Sequence, residues 1–406
     1  VWQPVPVDFL STLAIGAALL AGTRAAWAQP ATGASVSATP FARPTGAYPV
    51  GTRDTFWLDT TRSEPFTKDP NDHRHILVQV WYPASPRADA EPALYIRTPS
   101  EFRDSTRAFA RIRHVRTNAV LNAPVAGKDE PYPVIVYHAG GGWVRFGSTF
   151  TAETLASQGY IVVGVDHTGF SMSANFPDGY RFEADTLRPP ASAGKLREDT
   201  IAFWDYLHGT VFDTWRADAT FVVDQLEKLN REPGQPFYRR LDLDRVGAVG
   251  WSFGGAAAIQ MTRDDRRVKA AVDQDGQLFG DVRDKGTSRP VMLIHHGGDP
   301  PYKSADTLAA YRELVAMVDG WDRTMLERST NDWYEVWIAN TQHVNFSDSP
   351  LFASRTPPGA LDPRRAHEII NAYTLAFFDR YLRGRASDLL KGPSTRYAEA
   401  TFKRKQ

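Results

Sequence analysis

Residues Arg245-Val-Gly-Ala-Val-Gly-Trp-Ser-Phe-Gly-Gly255 form a short apolar run that halts at a serine bracketed by glycines. A run of this kind predicts a buried strand. The small apolar residues from Gly254 to Met261 predict a helix packed closely against it. Gly250-Trp-Ser-Phe-Gly254 fits G-x-S-x-G, in which a strained turn between strand and helix lifts the serine hydroxyl clear of a sheet. Glycines beside the serine let that turn pass neighbouring backbone without a Cβ clash. The spacing also arises by chance in long chains. A glycine-rich turn with an idle serine is the alternative unless Ser252 has partners.

The sequence around this turn predicts an α/β fold. Val134–Tyr137, Tyr160–Val165, Val268–Val272, Val291–His295 and Tyr334–Ile338 read as strands. Phe150–Gln158, Trp215–Leu229 and Pro363–Arg383 read as helices, the last an amphipathic helix that closes the chain. Alternation of this kind demands a mostly parallel central sheet with helices on both faces and right-handed crossovers. Phe56–Leu58 and Ile76–Tyr82 are strand-like and predict an antiparallel flank. Glu101 to Arg116 reads as Arg-rich helical material with a solvated face. Residues 170–215 are longer than an ordinary strand-to-helix loop and hold Phe170, Phe176, Tyr180, Phe182, Phe203, Trp204, Tyr206, Phe212 and Trp215. That insertion predicts a lid or the wall of an acyl pocket, or an extra helix packed by its aromatic face.

Composition narrows the function. The 406 residues are 42% hydrophobic and 23% charged, with 47 Lys plus Arg against 47 Asp plus Glu. No net field attracts nucleic acid or an anionic membrane. Cysteine is absent, which removes disulfides, thiol nucleophiles and thiolate metal sites. Phe9–Gly22 is an apolar run shorter than the ~20 residues that span a bilayer, and Ala26-Trp-Ala28 after it resembles a signal-peptidase site. Residues 1–28 thus read as a signal peptide for secretion or periplasmic export. Residues 29–49 read as a flexible leader, and 50–406 as one catalytic domain carrying the insertion.

A serine needs a base, an acid to orient the base, and backbone donors for the developing oxyanion. In a parallel sheet these groups gather where strands end. Ser252, Asp275, Asp299, His343 and the glycines of 138–142 all follow predicted strands. His343 lies between the last strand and the last helix, where chains of this order place the base. His295 and His296 precede the candidate acid Asp299, the wrong order, and His367 falls inside a helix and reads as a surface residue. Asp275, with Asp273 beside it, and Asp299 are both eligible as the acid. Gly140, with Gly141 next, and Phe253 are the candidate oxyanion donors. No metal or cofactor is required by this chemistry.

Several stretches together resemble the platelet-activating-factor acetylhydrolase branch of the α/β-hydrolases. They are Val80-Trp-Tyr-Pro83, Tyr137-His-Ala-Gly140, Val163-Gly-Val-Asp-His167, Trp215–Phe221, Gly250–Gly255, Asp275-Gly-Gln-Leu-Phe279 and Gln342-His-Val-Asn-Phe346. The resemblance implies Ser252 as nucleophile, His343 as base, Asp275 rather than Asp299 as acid, and Gly140 and Phe253 as oxyanion donors. It implies hydrolysis of short-chain acyl esters of the phospholipid type, with a lipid or small-molecule ester as partner and transient contact with a lipid surface. A general carboxylesterase, lipase or polyester hydrolase is the near alternative. A non-catalytic binding protein on the same fold is the alternative of another class. The chain departs from the family pattern at Trp251, where His is common, at Ala139, where Gly is usual, and through the insertion.

Overall fold

The computed structural model describes residues 39–102, 112–127, 130–183, 206–297, 305–353 and 355–405. The segment read as a signal peptide, Phe203, Trp204, Asp299 and most of the predicted Arg-rich helix lie outside these. The strands are β1 (Val50–Ser63), β2 (His73–Pro83), β3 (Pro92–Leu94), β4 (Arg116–Leu121), β5 (Tyr132–His138), β6 (Ile161–Asp166), β7 (Leu241–Trp251), β8 (Val268–Gln274), β9 (Val291–Gly297), β10 (Trp333–Ala339) and β11 (Ala400–Arg404). The helices are α1 (Thr149–Ser157), α2 (Phe212–Arg231), α3 (Phe253–Asp264), α4 (Val282–Lys285), α5 (Ala305–Arg328) and α6 (Pro363–Arg383).

All eleven strands join one sheet in the order β11-β10-β9-β8-β7-β5-β6-β2-β1-β4-β3. The block from β6 to β10 is parallel, and β1 and β2 pair antiparallel beside it as their alternation predicted. The period of two along each strand divides the core. On β5, Ile135 and Tyr137 face a layer containing Leu155 of α1 and Phe377 of α6, while Val134 and Val136 face Val222 of α2 and Ile259 of α3. Helices on both faces follow because both faces of a parallel sheet are apolar.

Four features depart from the expectations. A further strand, β11, follows α6 and pairs antiparallel with β10, and α5 intervenes between β9 and β10. The second half of the segment read as a flexible leader is packed instead. Phe41 is buried against Tyr95 and Phe352, and the Tyr48 and Gly46 N–H groups bond to Ser157 of α1. Glu101, read as part of a solvated face, is buried on Arg145 at 2.8 Å, and Arg145 also holds Asp166 at 2.9 Å.

His367, read as a surface residue, is buried. Its ring stacks on Phe150 with centroids 3.6 Å apart, and Nε2 lies 3.1 Å from the Ser347 carbonyl. Burial pushes its pKa down to about 3, against the opposing pull of the Ser347 and Asn345 carbonyls. The folded protein therefore holds a neutral ring that the unfolded chain protonates near pH 6.5. This contribution is complete above pH 6.5 and is lost as pH falls toward 3. Asp348 and Glu153, each raised to about 7 by burial, act in the opposite direction over much of that range. The difference between wild type and His367→Gln isolates the histidine. The gap in unfolding free energy is expected to narrow by about 3 kcal/mol between pH 6.5 and pH 4, read by urea titration at each pH.

Candidate active site

β7 ends at Trp251, and Ser252 turns the chain with φ 58° and ψ −127° before α3 begins at Phe253. A left-handed φ on a non-glycine residue is strained, and here close packing enforces it. A Cβ on Gly250 would sit 2.0 Å from the Gly254 carbonyl oxygen, and one on Gly254 would sit 2.2 Å from that of His138. The elbow therefore needs both glycines in order to close against β5.

Three side chains from separate strand ends meet at this turn. His343 Nε2 lies 3.0 Å from Ser252 Oγ, and His343 Nδ1 lies 2.6 Å from Asp275 Oδ2. Because the carboxylate only accepts, Nδ1 carries the proton, which leaves Nε2 free to accept from the serine hydroxyl. Asp275 follows β8 with φ 63°. Burial raises its pKa, but the His296 and His343 imidazoles outweigh that and hold the carboxyl well below the usual carboxylate range. Asp273, two residues earlier, points elsewhere. Its Oδ1 accepts from the Gly276 N–H at 2.7 Å beneath the elbow, and a Cβ on Gly255 would sit 1.8 Å from that oxygen. Burial, with Asp275 nearby, pushes the Asp273 pKa well above the usual carboxylate range against the pull of the Gly276 N–H.

The segment that carries His343 is anchored from several sides. Gln342 and Asn345 cap each other across the turn. The Asp348 carboxylate accepts from the Thr149 and Phe150 N–H groups at 2.8 and 3.2 Å, tying the segment to the first turn of α1. Trp251 is buried and donates Nε1–H to the His343 carbonyl at 3.0 Å. At this position, where the chain departs from the family pattern, the indole supports the histidine loop.

Gly140 lies next to the elbow. A Cβ there would come within 2.8 Å of the Trp251 ring and 3.3 Å of Ser252 Cβ. The loop is fixed by the Gly142 N–H to the Phe170 carbonyl at 2.7 Å and the Trp143 N–H to the Gly140 carbonyl at 3.0 Å. The Phe253 N–H belongs to the first turn of α3, where amides have no helical acceptor and the helix end is electropositive.

Beneath the loop runs a buried chain of polar groups. His138 Nδ1 is 3.0 Å from His167 Nε2, and His167 Nδ1 is 3.0 Å from Asp218 Oδ2. Asp218 is an acceptor, so His167 bears its proton on Nδ1 and His138 Nδ1–H must donate to it. Asp218 in turn holds Arg74, which also binds Glu64.

Of the insertion's aromatics, Phe212 and Trp215 pack edge-on against Phe253 at 5.6 and 4.8 Å, and Phe279 joins them at 4.8 Å. Phe253, next to the serine, is thus backed by a buried aromatic cluster. Among the described residues no group of three or more His, Cys, Asp or Glu side chains could hold a metal ion.

A parallel sheet with an elbow serine, and with acid and histidine at the ends of later strands, defines the α/β-hydrolase class. Comparison with known proteins narrows it. The model of the family "Platelet-activating factor acetylhydrolase, isoform II" matches residues 34–184. A "Probable 1-alkyl-2-acetylglycerophosphocholine esterase" of Arthroderma benhamiae is 25% identical over 296 residues, covering 68% of this chain and 67% of that protein. Platelet-activating factor acetylhydrolase of Cavia porcellus is 24% identical over 66% of this chain, a match that spans only 61% of the guinea-pig protein's length. A ferulic acid esterase from Streptomyces cinnamoneus superposes with a TM-score of 0.66 at 31% identity, covering 89% of this chain and 98% of that one. The chain is thus similar to the platelet-activating factor acetylhydrolases, has the α/β-hydrolase fold and is a carboxylic ester hydrolase.

Proposed function

We propose that the protein cleaves short-chain acyl esters of the platelet-activating-factor type through an acyl-enzyme on Ser252. The observation that carries this reading is the continuous contact from Ser252 Oγ through His343 to Asp275, at 3.0 and 2.6 Å. Ser252 attacks the acyl carbonyl while His343 Nε2 takes its proton. The carbonyl oxygen becomes an anion, which accepts from the Gly140 and Phe253 N–H groups. Collapse expels the alcohol, which receives the proton from His343. Water then repeats the sequence to release the acid and free the serine. Asp275 keeps the imidazole in the productive tautomer and balances its charge in the transition state.

Phe253, half-buried beside Ser252, is the accessible face of an aromatic wall backed by the buried Phe212, Trp215 and Phe279, a surface that favours small or flat acyl groups. The same wall supports a second reading, an aromatic acyl ester of the kind named for the Streptomyces relative. Residues 1–28 would direct export, and contact with substrate at a lipid surface would be transient. Among the described residues no helix is long and apolar enough to cross a membrane.

Turnover of p-nitrophenyl esters of increasing chain length, of 1-alkyl-2-acetyl phospholipid and of methyl ferulate tests the assignment. Acetyl esters are expected to be cleaved fastest, and faster ferulate cleavage would favour the second reading. Ser252→Ala is expected to lose about 10⁶-fold in kcat and all labelling by a fluorophosphonate. Wild-type turnover by Ser252→Ala would disprove the mechanism.

A further inference from the structure

Asp275 is shared by two histidines. Besides His343, the ring of His296 brings Nδ1 to 2.8 Å from both carboxylate oxygens, and the His296 main-chain N–H donates to Oδ1 at 2.8 Å. The register of the sheet produces this arrangement. Asp275 follows β8 and His296 lies near the end of β9, the parallel neighbour between β8 and the strand that leads to His343. The Asp275 N–H in turn bonds the Ile294 carbonyl at 2.7 Å, so β8 and β9 are joined on both sides of the carboxylate.

Asp275 occupies a left-handed φ of 63°, a conformation that a non-glycine residue keeps only when its surroundings impose it. A short side chain on a strained turn has two rotatable bonds and could swing its carboxylate out of line. The main-chain N–H of His296 fixes Oδ1 alone. The ring of His296 adds a donor that touches both oxygens and so fixes the plane of the carboxylate, leaving Oδ2 facing His343 Nδ1. The base of that ring is held too, because the adjacent His295 stacks on Trp337 with centroids 5.1 Å apart and planes 26° apart.

We infer that His296 is a positioning residue for the hydrolytic reaction. Its Nδ1–H orients the Asp275 carboxylate toward His343, and it touches neither the serine nor the substrate. The inference rests on Asp275 acting as the acid in the proposed mechanism. An orienter of this type acts in the transition state, when the His343 imidazolium forms, and contributes little to substrate binding. Its loss therefore lowers kcat and spares KM.

The test is a set of three substitutions measured with p-nitrophenyl acetate alongside Ser252→Ala. Asn places its side-chain amide where the histidine carries Nδ1, so His296→Asn keeps the donor. His296→Leu removes it, and His296→Gln moves it one carbon farther out. We expect His296→Leu and His296→Gln to lose about tenfold to hundredfold in kcat with KM within about twofold of wild type. His296→Asn is expected to stay within about threefold of wild type, and fluorophosphonate labelling rates should follow the same order. Thermal unfolding identifies the variants that fold, and if Leu does not, Gln carries the comparison. Wild-type kcat in the folded donor-less variant, with Ser252→Ala inactive, would overturn the inference and leave the mechanism standing. So would an Asn variant as slow as Leu, since ring shape rather than the hydrogen bond would then be responsible. An active Ser252→Ala would instead remove the mechanism on which the inference rests.

Discussion

Asp275→Asn is expected to lower kcat about 10⁴-fold while leaving KM close to the wild-type value. The amide presents an N–H where the carboxylate presented a lone pair, so the 2.6 Å contact to His343 Nδ1 survives only if the imidazole moves its proton to Nε2. A proton on Nε2 points at Ser252 Oγ, and the histidine can no longer accept from the serine. The amide also carries no charge to balance the imidazolium. Asp273→Asn is the control two residues away. Burial holds the Asp273 pKa well above the carboxylate range, and its oxygen accepts from the Gly276 N–H, a bond that an amide oxygen reproduces. Its kcat is expected to stay within about threefold of wild type. Steady-state kinetics on one soluble ester compares the two, and equal losses would overturn the assignment of Asp275.

The second large effect falls on stability. Arg74 is fully buried and binds Asp218 through Nε and Nη2 at 3.0 and 2.7 Å, Glu64 through Nη1 at 2.8 Å, and the Thr168 carbonyl at 2.8 Å. Arg74→Met keeps volume but removes the cation. Asp218 retains Arg62 at 3.0 Å and His167 at 3.0 Å, whereas Glu64 keeps only a long bond from the Phe66 N–H at 3.2 Å. Burial already pushes the Glu64 pKa upward against the pull of Arg74, so without that cation the carboxyl is left either charged and unpaired or protonated at a cost. Removing one partner of a buried pair costs about 3–5 kcal/mol, a fall in Tm of roughly 5 °C in a protein of this size. Arg74→Lys is expected to recover only part of this, because one ammonium cannot reproduce a fork bonded to two carboxylates at once. Calorimetry or denaturant titration of the three proteins measures it, and a Met variant as stable as wild type would show the network to be dispensable.

Much of the architecture was legible because its signals are local. The β7 run that stops at Gly250, the small residues of α3, and the strand-to-helix alternation each follow from burial on a sheet covered on both faces. His343 was legible from its place between the last predicted strand and the last predicted helix. Other features were hidden because exposure is set by neighbours remote in the chain. The segment around Glu101 reads as solvated by composition, yet Arg145 of the loop after β5 reaches it and makes burial tolerable. His367 reads as polar helix surface, yet its ring lies flat on Phe150. The β11 strand is short and polar by composition, and only its pairing with β10 makes it a strand.

At the site, the sequence by itself offered Ser252 on a strained turn through the glycines at 250 and 254, and the structure shows that a Cβ at either would clash. The sequence also narrowed the base to a late histidine. It did not choose among Asp273, Asp275 and Asp299, all of which follow predicted strands, and the choice of Asp275 came from family likeness. The tertiary structure separates the first two. One residue of left-handed backbone after the end of β8 turns Asp275 toward His343, while Asp273, still within the strand, is tucked beneath the elbow. Only tertiary structure could bring His296 to that carboxylate and the Trp251 indole to the His343 carbonyl. Those contacts depend on which strands lie side by side and in what register, and no local run of residues encodes that.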